Sequence, residues 1–238
     1  MADYEAFRKE VLVSARWLCE HGYFGARLGS GGNVSLYLRA EDLIVITPSR
    51  KPYHAMAVQD IGVIDSRLGP VEGALPPSTE AALHAGIYLN RTDIQAVVHT
   101  HQMYASVLAL INQPIPALFD EITYEIGAEV AVIPYALSGT AALADNVVSA
   151  LQNGCRCYII QNHGALCLGT DLAEAMLNAE LLEKSAQAYF HALCSGRDIG
   201  RLPEDAVRQL VKKREESQLP SAKPEGSGFK DSRLQETE

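Results

Sequence analysis

The chain has 238 residues, 47% of them hydrophobic, so it is long enough to bury one sizeable core. Its net charge of -9 argues against a nucleic-acid partner, because a phosphate backbone repels an acidic surface. No apolar run reaches the length of a membrane span, and the N-terminus lacks the features of a signal peptide. We therefore expect a cytoplasmic protein that does not associate with membranes and whose cysteines are reduced, buried thiols.

The first half of the chain predicts a helix and a glycine-rich loop, followed by three strands. These elements fall at residues 3–21, 25–35, 34–38, 43–47 and 61–64. A second helix is predicted over 81–89, since Pro76 and Pro77 precede two residues, Ser78 and Thr79, either of which is a suitable N-cap.

The second half alternates short apolar runs with longer amphipathic segments. It predicts strands at 96–100, 130–133, 157–161 and 165–168, and helices at 101–110, 140–151, 171–193 and 203–216. The tail, residues 217–238, is too polar to offset the entropy of ordering. We expect it to be mobile or ordered only against a neighbouring subunit.

The histidine pair at the end of the predicted strand 96–100 is the first candidate for chemistry. His99 and His101 are two positions apart, so their side chains lie on one face of an extended chain. Two imidazoles directed at one point suit a divalent metal such as zinc, but a tetrahedral site needs two further ligands.

Other residues can complete such a site. His163 follows an apolar strand and precedes a glycine, a position where α/β proteins often place functional groups. Glu80 and His84 are one helical turn apart, and on the residues alone either could be the fourth ligand. His21 and His191 are interpreted as helix-end or core histidines.

Six segments, taken in order, carry a family resemblance. They are Gly31-Gly-Asn-Val-Ser, Thr47-Pro-Ser, Pro77-Ser-Thr-Glu80, Val98-His-Thr-His101, Pro134-Tyr-Ala-Leu-Ser-Gly-Thr140 and Gln161-Asn-His-Gly-Ala-Leu166. Together they resemble the class II aldolase/adducin family from about residue 3 to residue 210. The resemblance implies an α/β fold in which one three-layer α/β/α domain, residues 1–216, has a central, mostly antiparallel sheet covered by helices. It also implies a homotetramer.

The same resemblance implies the site residues. One Zn²⁺ per chain, or Mn²⁺ or another divalent metal in its place, is held by His99, His101 and His163, with Glu80 as fourth ligand or nearby base. A substrate phosphate is held by a separate group: Gly32, Asn33, Ser49, Ser78 and Thr79. Hydroxyls, an amide and helix-start N–H groups are suitable donors to an anion.

The implied reaction is aldol cleavage of a phosphorylated ketose, or a similar small 2-oxo substrate, through a metal-stabilised enediolate. In it Glu80 moves a proton at the carbon next to the carbonyl.

Two positions depart from the family pattern. Arg50 stands where the aldolases have glycine, and it could bind a phosphate or a substrate carboxylate. Asp120 stands where they have a proton-donating tyrosine, with Glu121 beside it and Tyr124 one turn further on. We take these three as candidate catalytic residues, against the alternative that the two acids are a solvated loop pair.

The departures leave other functions open. A metal-dependent decarboxylase is the principal alternative, because Arg50 and the absence of the tyrosine fit a carboxylated substrate. Epimerase and dehydratase reactions use the same type of site. A non-catalytic module resembling the adducin head would keep the fold but lose the ligands, whereas all four are present here.

Overall fold

The structure is a computed structural model that describes residues 4–218. Its helices are α1 (Glu5–Glu20), α2 (Ala81–Asn90), α3 (Met103–Leu110), α4 (Asp120–Ile126), α5 (Ala141–Ala150), α6 (Leu172–Cys194) and α7 (Glu204–Gln218). Its strands are β1 (Asn33–Leu38), β2 (Leu43–Ile46), β3 (Gly62–Asp65), β4 (Pro70–Glu72), β5 (Ala96–Thr100), β6 (Ile115–Pro116), β7 (Glu129–Ile133), β8 (Cys157–Ile160) and β9 (Gly164–Gly169).

The strands form one nine-stranded sheet in the order β4-β3-β2-β1-β5-β9-β8-β7-β6. Every pairing is antiparallel except that of β7 with β8, which is parallel. The predicted mostly antiparallel sheet is therefore confirmed. The strand β5 lies at the centre, paired with β1 on one side and β9 on the other, and all five of its residues are buried.

Helices cover both faces of the sheet, as expected for a three-layer α/β/α fold. One core cluster joins the sheet to α1, α3, α4 and α6. The second joins its opposite face to α2 and α5. Neighbouring residues of a strand belong to different clusters, as Val97 and Val98 illustrate. The reason is that side chains alternate between the two faces of a strand. The face that carries Val97 is the one that α2 covers.

Several element bounds differ from the sequence prediction. The strands β4 and β6 were missed, being only three and two residues long. Proline begins β4 and ends β6, which an edge strand tolerates. The segment 120–126, to which no helix was assigned, is helix α4, so Asp120 and Glu121 are not a loop pair. Helix α3 begins at Met103 rather than His101, because Gln102 is extended.

Two further corrections concern helix ends. The N-cap of α2 is Glu80 rather than Ser78 or Thr79, and its side chain makes no capping hydrogen bond. Helix α7 ends at Gln218 instead of residue 216, so Ser217 is helical. The remainder of the predicted tail, residues 219–238, lies outside the described residues.

Four of the five cysteines are buried thiols as expected, but Cys194 is exposed, which corrects that expectation. It is the last residue of α6, where the helix reaches solvent. Among the helices within residues 4–218, none is long and apolar enough to cross a membrane.

Candidate metal centre and active site

The histidine pair lies at the end of the central strand. His99 is fully buried in β5, directly opposite Asn33 of β1 and Leu166 of β9. His101 follows the last residue of the strand, and its backbone N–H donates a 2.7 Å hydrogen bond to the carbonyl of Tyr23. Both imidazoles point to the same side of the sheet, since their Nε2 atoms lie 3.1 Å apart.

His163 reaches the pair from the turn between β8 and β9. Its Nε2 lies 3.2 Å from Nε2 of His99, which in turn lies 3.1 Å from Nε2 of His101. Asn162, just before it, has the left-handed φ of 55° that a tight turn requires. Within residues 4–218, these three histidines are the group whose ligand atoms are close enough to hold a metal ion.

The spacing and protonation of these rings fit a divalent cation. Nδ1 of His99 lies 2.9 Å from the carbonyl oxygen of Ala165, which can only accept, so Nδ1 carries the proton and Nε2 presents a lone pair. Tetrahedral zinc with Zn–N distances near 2.05 Å would separate its nitrogen ligands by about 3.3 Å. The separations of 3.1 and 3.2 Å from His99 to the other two rings are close to that value, and all three ligand atoms lie within 4.8 Å of one another.

Glu80 supplies the carboxylate. Its Oε2 lies 3.3 Å from Nε2 of His99, and its Oε1 lies 3.5 Å from Nε2 of His163. Asn33 donates to Oε2 at 2.8 Å and Ser138 donates to Oε1 at 2.9 Å. Both carboxylate oxygens are thus fixed, and the group faces the three imidazoles.

Electrostatics favour an ionised Glu80 carboxylate and neutral rings at His101 and His163. Burial opposes ionisation of Glu80, yet the adjacent His99 and His163 lower the pKa of its carboxyl to about 2. Burial, reinforced by the adjacent imidazoles, lowers the pKa of His101 to about 3 and that of His163 to about 4. At neutral pH these are the protonation states that metal ligation requires.

Gly164 makes room for the cluster. A Cβ at this position would lie 2.2 Å from the carbonyl oxygen of Thr100 and 2.6 Å from Cδ2 of His101. Any side chain would therefore displace either the backbone of β5 or the imidazole of His101. The Gly31 position is tight as well, since a Cβ there would lie 3.0 Å from Nδ1 of His101.

A cavity of about 250 Å³ opens beside the cluster. It brings together every residue that sequence analysis assigned to the anion-binding group, and two of the histidines. Its lining consists of Ser30, Gly31, Gly32, Asn33, Pro48, Ser49, Arg50, Ser78, Thr79, Glu80, His101, Ser138 and His163.

Arg50 lies at the rim of this cavity with an exposed side chain. Its φ is 59°, the left-handed conformation that favours glycine. The next residue, Lys51, is turned away and forms a 2.6 Å ion pair with Asp60. Of the two basic residues after Ser49, Arg50 is therefore the one available to an anion in the cavity.

The three candidate proton donors lie elsewhere. Asp120 and Glu121 are exposed in the first turn of α4, and none of the candidates lines the cavity of its own chain. Glu121 forms a 3.3 Å ion pair with Lys184 of α6. The hydroxyl of Tyr124 lies 3.2 Å from Oγ of Ser217 in α7.

Two features of the site do not follow from local sequence patterns, although the family resemblance implied Glu80. Between Glu80 and His84, the structure places Glu80 against the histidine cluster, whereas His84 contacts Asn33 and Ser35. Ser138 was not recognised as a site residue. It lay within one of the family-like motifs, but only the fold shows that its hydroxyl reaches Glu80.

Comparison with known proteins identifies relatives along most of the chain. The family model for the class II aldolase and adducin N-terminal domain matches residues 9–190. A 5-deoxy-D-ribulose 1-phosphate aldolase of Bacillus thuringiensis serovar kurstaki is 33% identical over 206 residues, covering 87% of this chain and 94% of that protein. An L-fuculose phosphate aldolase of Escherichia coli is 32% identical over 189 residues, covering 79% and 86%.

A solved structure supports the same relationship. An L-fuculose 1-phosphate aldolase with 33% sequence identity superposes with a TM-score of 0.84, covering 90% of this chain and 98% of that one. A putative aldolase/epimerase/decarboxylase from Klebsiella pneumoniae matches with a TM-score of 0.76 at 25% identity, covering 88% and 100%. The chain belongs to the class II aldolase and adducin family.

Proposed function

We propose that this protein is a zinc-dependent aldehyde-lyase that cleaves a small phosphorylated ketose. The observation that carries the proposal is the convergence of three imidazoles and one ionised carboxylate beside a polar cavity. The related aldolases are named for ketose phosphates, and two of them for 5-deoxyribulose 1-phosphate. That supports a 1-phosphorylated ketose as the substrate class. We further propose a cytoplasmic location and a homotetrameric assembly.

His99, His101 and His163 would hold the divalent cation, with Glu80 as a fourth ligand or adjacent base. A cation there would polarise the substrate carbonyl and stabilise the negative charge that develops when the carbon–carbon bond breaks. The imidazoles themselves do not transfer protons in this proposal. Their burial and the bond from His99 to Ala165 hold them as oriented ligands.

Glu80 would act as the proton-transfer group. Cleavage between C3 and C4 of a ketose 1-phosphate leaves excess electron density at C3, which must gain a proton to give dihydroxyacetone phosphate. The carboxylate faces the centre where that carbon would lie, and Asn33 and Ser138 hold both of its oxygens. It would accept the proton in the synthetic direction and return it to C3 in cleavage.

The substrate phosphate would bind between Ser49, Ser78 and Arg50 at the wall of the cavity. Hydroxyl groups and a guanidinium provide charge-assisted hydrogen bonds to a phosphate. Gly32, with φ of 68°, lets the backbone approach closely at the same wall. The anion and the metal would thus fix the two ends of a short substrate.

Departure of the aldehyde requires a second proton-transfer group. Asp120, Glu121 and Tyr124 remain the candidates, and none of them lines the cavity of its own chain. A donor role for any of them therefore requires the cavity of a neighbouring subunit. That requirement links the proposed catalytic role to the proposed homotetramer.

The proposal is tested by turnover of defined substrates. Purified protein loaded with zinc is incubated with L-fuculose 1-phosphate and with 5-deoxyribulose 1-phosphate, and dihydroxyacetone phosphate is quantified. We expect release of equal amounts of dihydroxyacetone phosphate and aldehyde, and loss of activity after chelation. No cleavage of either ketose by metal-loaded protein would contradict the proposal.

Arg50 supports one alternative, a decarboxylase that acts on a small carboxylated substrate. A guanidinium at the cavity rim could hold a substrate carboxylate as well as a phosphate. The two reactions differ in product, since one releases an aldehyde and the other CO₂. Detection of CO₂ from a carboxylated 2-oxo substrate, in place of an aldehyde, would favour the decarboxylase. Improved phosphoketose cleavage in Arg50→Gly would remove its main support.

A further inference from the structure

A second set of polar side chains lies buried between α2 and β1, behind Glu80. It contains Ser35, His84 and Tyr88, all of which are completely buried. Oγ of Ser35 lies 2.6 Å from Nδ1 of His84 and 2.6 Å from the hydroxyl of Tyr88. Nε2 of His84 in turn contacts Oδ1 of Asn33. Neither the metal ligands nor the anion-binding group accounts for these residues.

The polar residues of α2 and those of β1 are spaced at nearly the same interval. Glu80, His84 and Tyr88 recur every four residues, which places them on one face of α2 about 6 Å apart along its axis. Asn33 and Ser35 lie on one face of β1, about 6.6 Å apart. Because the two repeats are nearly equal, successive polar groups of the helix meet successive polar groups of the strand.

The donor and the acceptor of each hydrogen bond in this set follow from the chemistry of the side chains. Nδ2 of Asn33 must donate to Glu80, because a carboxylate only accepts, and therefore Oδ1 of Asn33 faces His84 as an acceptor. Nε2 of His84 must then carry a proton, which leaves Nδ1 to accept from Ser35. The Ser35 hydroxyl then has no second proton, so Tyr88 must be the donor in the 2.6 Å contact between the two hydroxyls. The backbone carbonyl of Ser35, 3.1 Å away, is a second acceptor for the same Tyr88 proton.

Burial keeps this arrangement in one state. Complete burial lowers the pKa of His84 to about 3, so its ring is neutral at physiological pH. A neutral ring has one donor and one acceptor nitrogen. The opposite tautomer would set a bare nitrogen against Oδ1 of Asn33 and would require the amide to turn its oxygen toward the Glu80 carboxylate. That would replace an attraction by a repulsion.

We infer that His84 is a positioning residue that acts through Asn33 to hold the catalytic carboxylate of Glu80 in its working orientation. The inference rests on the proposed function, in which Glu80 transfers the proton at C3. Ser35 and Tyr88 act one step further back, because they select the tautomer of His84. The series Tyr88, Ser35, His84, Asn33 and Glu80 thus runs in one donor direction and ends at the carboxylate.

The tautomer of His84 is measurable without turnover. Histidine ring ¹⁵N shifts of the full-length protein at pH 7, assigned by loss of one signal in His84→Gln, distinguish an Nε2-protonated ring from the other two forms. We expect the Nε2–H tautomer. An Nδ1–H tautomer or a protonated ring would overturn the inference, whether or not the protein cleaves a ketose phosphate.

Kinetics then test the positioning role. His84→Phe fills the ring volume but removes the donor, and we expect kcat to fall about ten- to a hundred-fold, as for other groups that orient a metal-site residue. KM and zinc content should be retained. His84→Gln keeps an N–H near the Nε2 position and should recover most of the lost kcat. Equal losses in both variants, or no loss in either, would reject the positioning role.

Ser35→Ala provides a test that does not depend on replacing a large buried side chain. It removes the hydrogen bond to Nδ1 of His84, and we expect a smaller but measurable drop in kcat. The matched control is Ser185→Ala, which deletes a hydroxyl that is equally buried, in α6. Equal kcat in the two serine variants would overturn the inference. A wild-type protein that cleaves no ketose phosphate would instead refute the proposed function and leave the tautomer measurement to decide.

Discussion

The histidine cluster at the end of β5 and the acidic start of α4 both carry residues that sequence analysis marked as functional. In the first region His99 is fully buried, its tautomer is fixed by Ala165, and its neighbour Glu80 has a partner on each carboxylate oxygen. In the second, Asp120 and Glu121 are exposed, and the ion pair of Glu121 with Lys184 leaves both side chains more than half accessible.

The difference lies in what determines each geometry. Backbone pairing of the central strands sets the positions of the ligands, so the chain alone builds that part of the site. Helix α4 packs against α6, α7 and β7 and presents its acids to solvent. Substituting a residue of the histidine cluster should therefore reduce metal binding and activity in that same chain. Residues of α4 can matter for catalysis only through a second chain.

Loss of a ligand should have the largest effect. His99→Ala should abolish tight metal binding and reduce kcat/KM on the order of a thousand-fold, since a cation contributes several kcal/mol of transition-state stabilisation. Metal content by mass spectrometry and ketose phosphate cleavage are the measurements. His191→Ala, which changes an exposed histidine of α6, is the control and should keep both. Full metal content in His99→Ala would disprove the ligand assignment.

Glu80→Gln should cause the second-largest loss of activity. The amide keeps the shape of the side chain but removes the base, so we expect kcat to fall about a hundred-fold. Exchange of solvent deuterium into C3 of dihydroxyacetone phosphate isolates the proton transfer from bond cleavage. Persistent exchange in Glu80→Gln at the wild-type rate would transfer the base role to another group.

Gly164→Ala tests the packing of the ligand cluster. The added Cβ would contact Thr100 and His101 at distances no structure tolerates, so metal affinity and Tm should both decrease. Displacement of an orienting or ligating group typically costs about ten- to a hundred-fold in affinity. Gly200→Ala is the matched control, since a Cβ there has nothing within 4 Å. Equal metal affinity in the two variants would show that the cluster is not tightly confined.

Arg50→Gly should have a moderate and selective effect. The left-handed φ of 59° suits glycine, so the substitution removes the charge without backbone strain. KM for a ketose 1-phosphate should rise about ten-fold with little change in kcat, as expected for loss of one charge-assisted hydrogen bond. Arg201→Gly, an exposed loop arginine, controls for net charge. A lower KM in Arg50→Gly would remove Arg50 from the phosphate site.

Glu121→Gln should have the smallest effect. Exposed ion pairs such as that with Lys184 contribute about 0–1 kcal/mol, so Tm should change by only a few degrees. If the active site contains residues of one chain only, the kcat of Glu121→Gln should remain close to that of the wild type. A kcat loss greater than about ten-fold would show that α4 reaches an active site, and would assign it to the cavity of a neighbouring subunit.

Much of this arrangement was predictable because it depends on local periodicity. The i, i+2 spacing of His99 and His101 and the strand before His163 were sufficient to predict a ligand cluster, and the structure brings the three together. Local periodicity did not decide between Glu80 and His84, although the family resemblance implied Glu80. Both lie on the same face of α2, and only the position of the helix along β1 decides which one reaches the cluster.

Other features required three-dimensional information of a different kind. The side chain of Ser138 reaches Glu80 across 58 positions of sequence, and no periodic pattern encodes such a contact. The segment 120–126 is too short for helical periodicity to stand out, and its mixture of acidic, polar and apolar residues is equally typical of a loop. Local signals therefore located the ligands but not the groups that orient them.

The ligand cluster also has a consequence for the order of folding. His99 and His163 are 64 positions apart, and they meet only when β9 has paired with β5. Such distant contacts are expensive in loop-closure entropy and form late on a folding path. A cation captured there would bind the finished sheet and not its precursors. It would slow unfolding far more than it hastens folding, and its release would report that the centre of the sheet has opened.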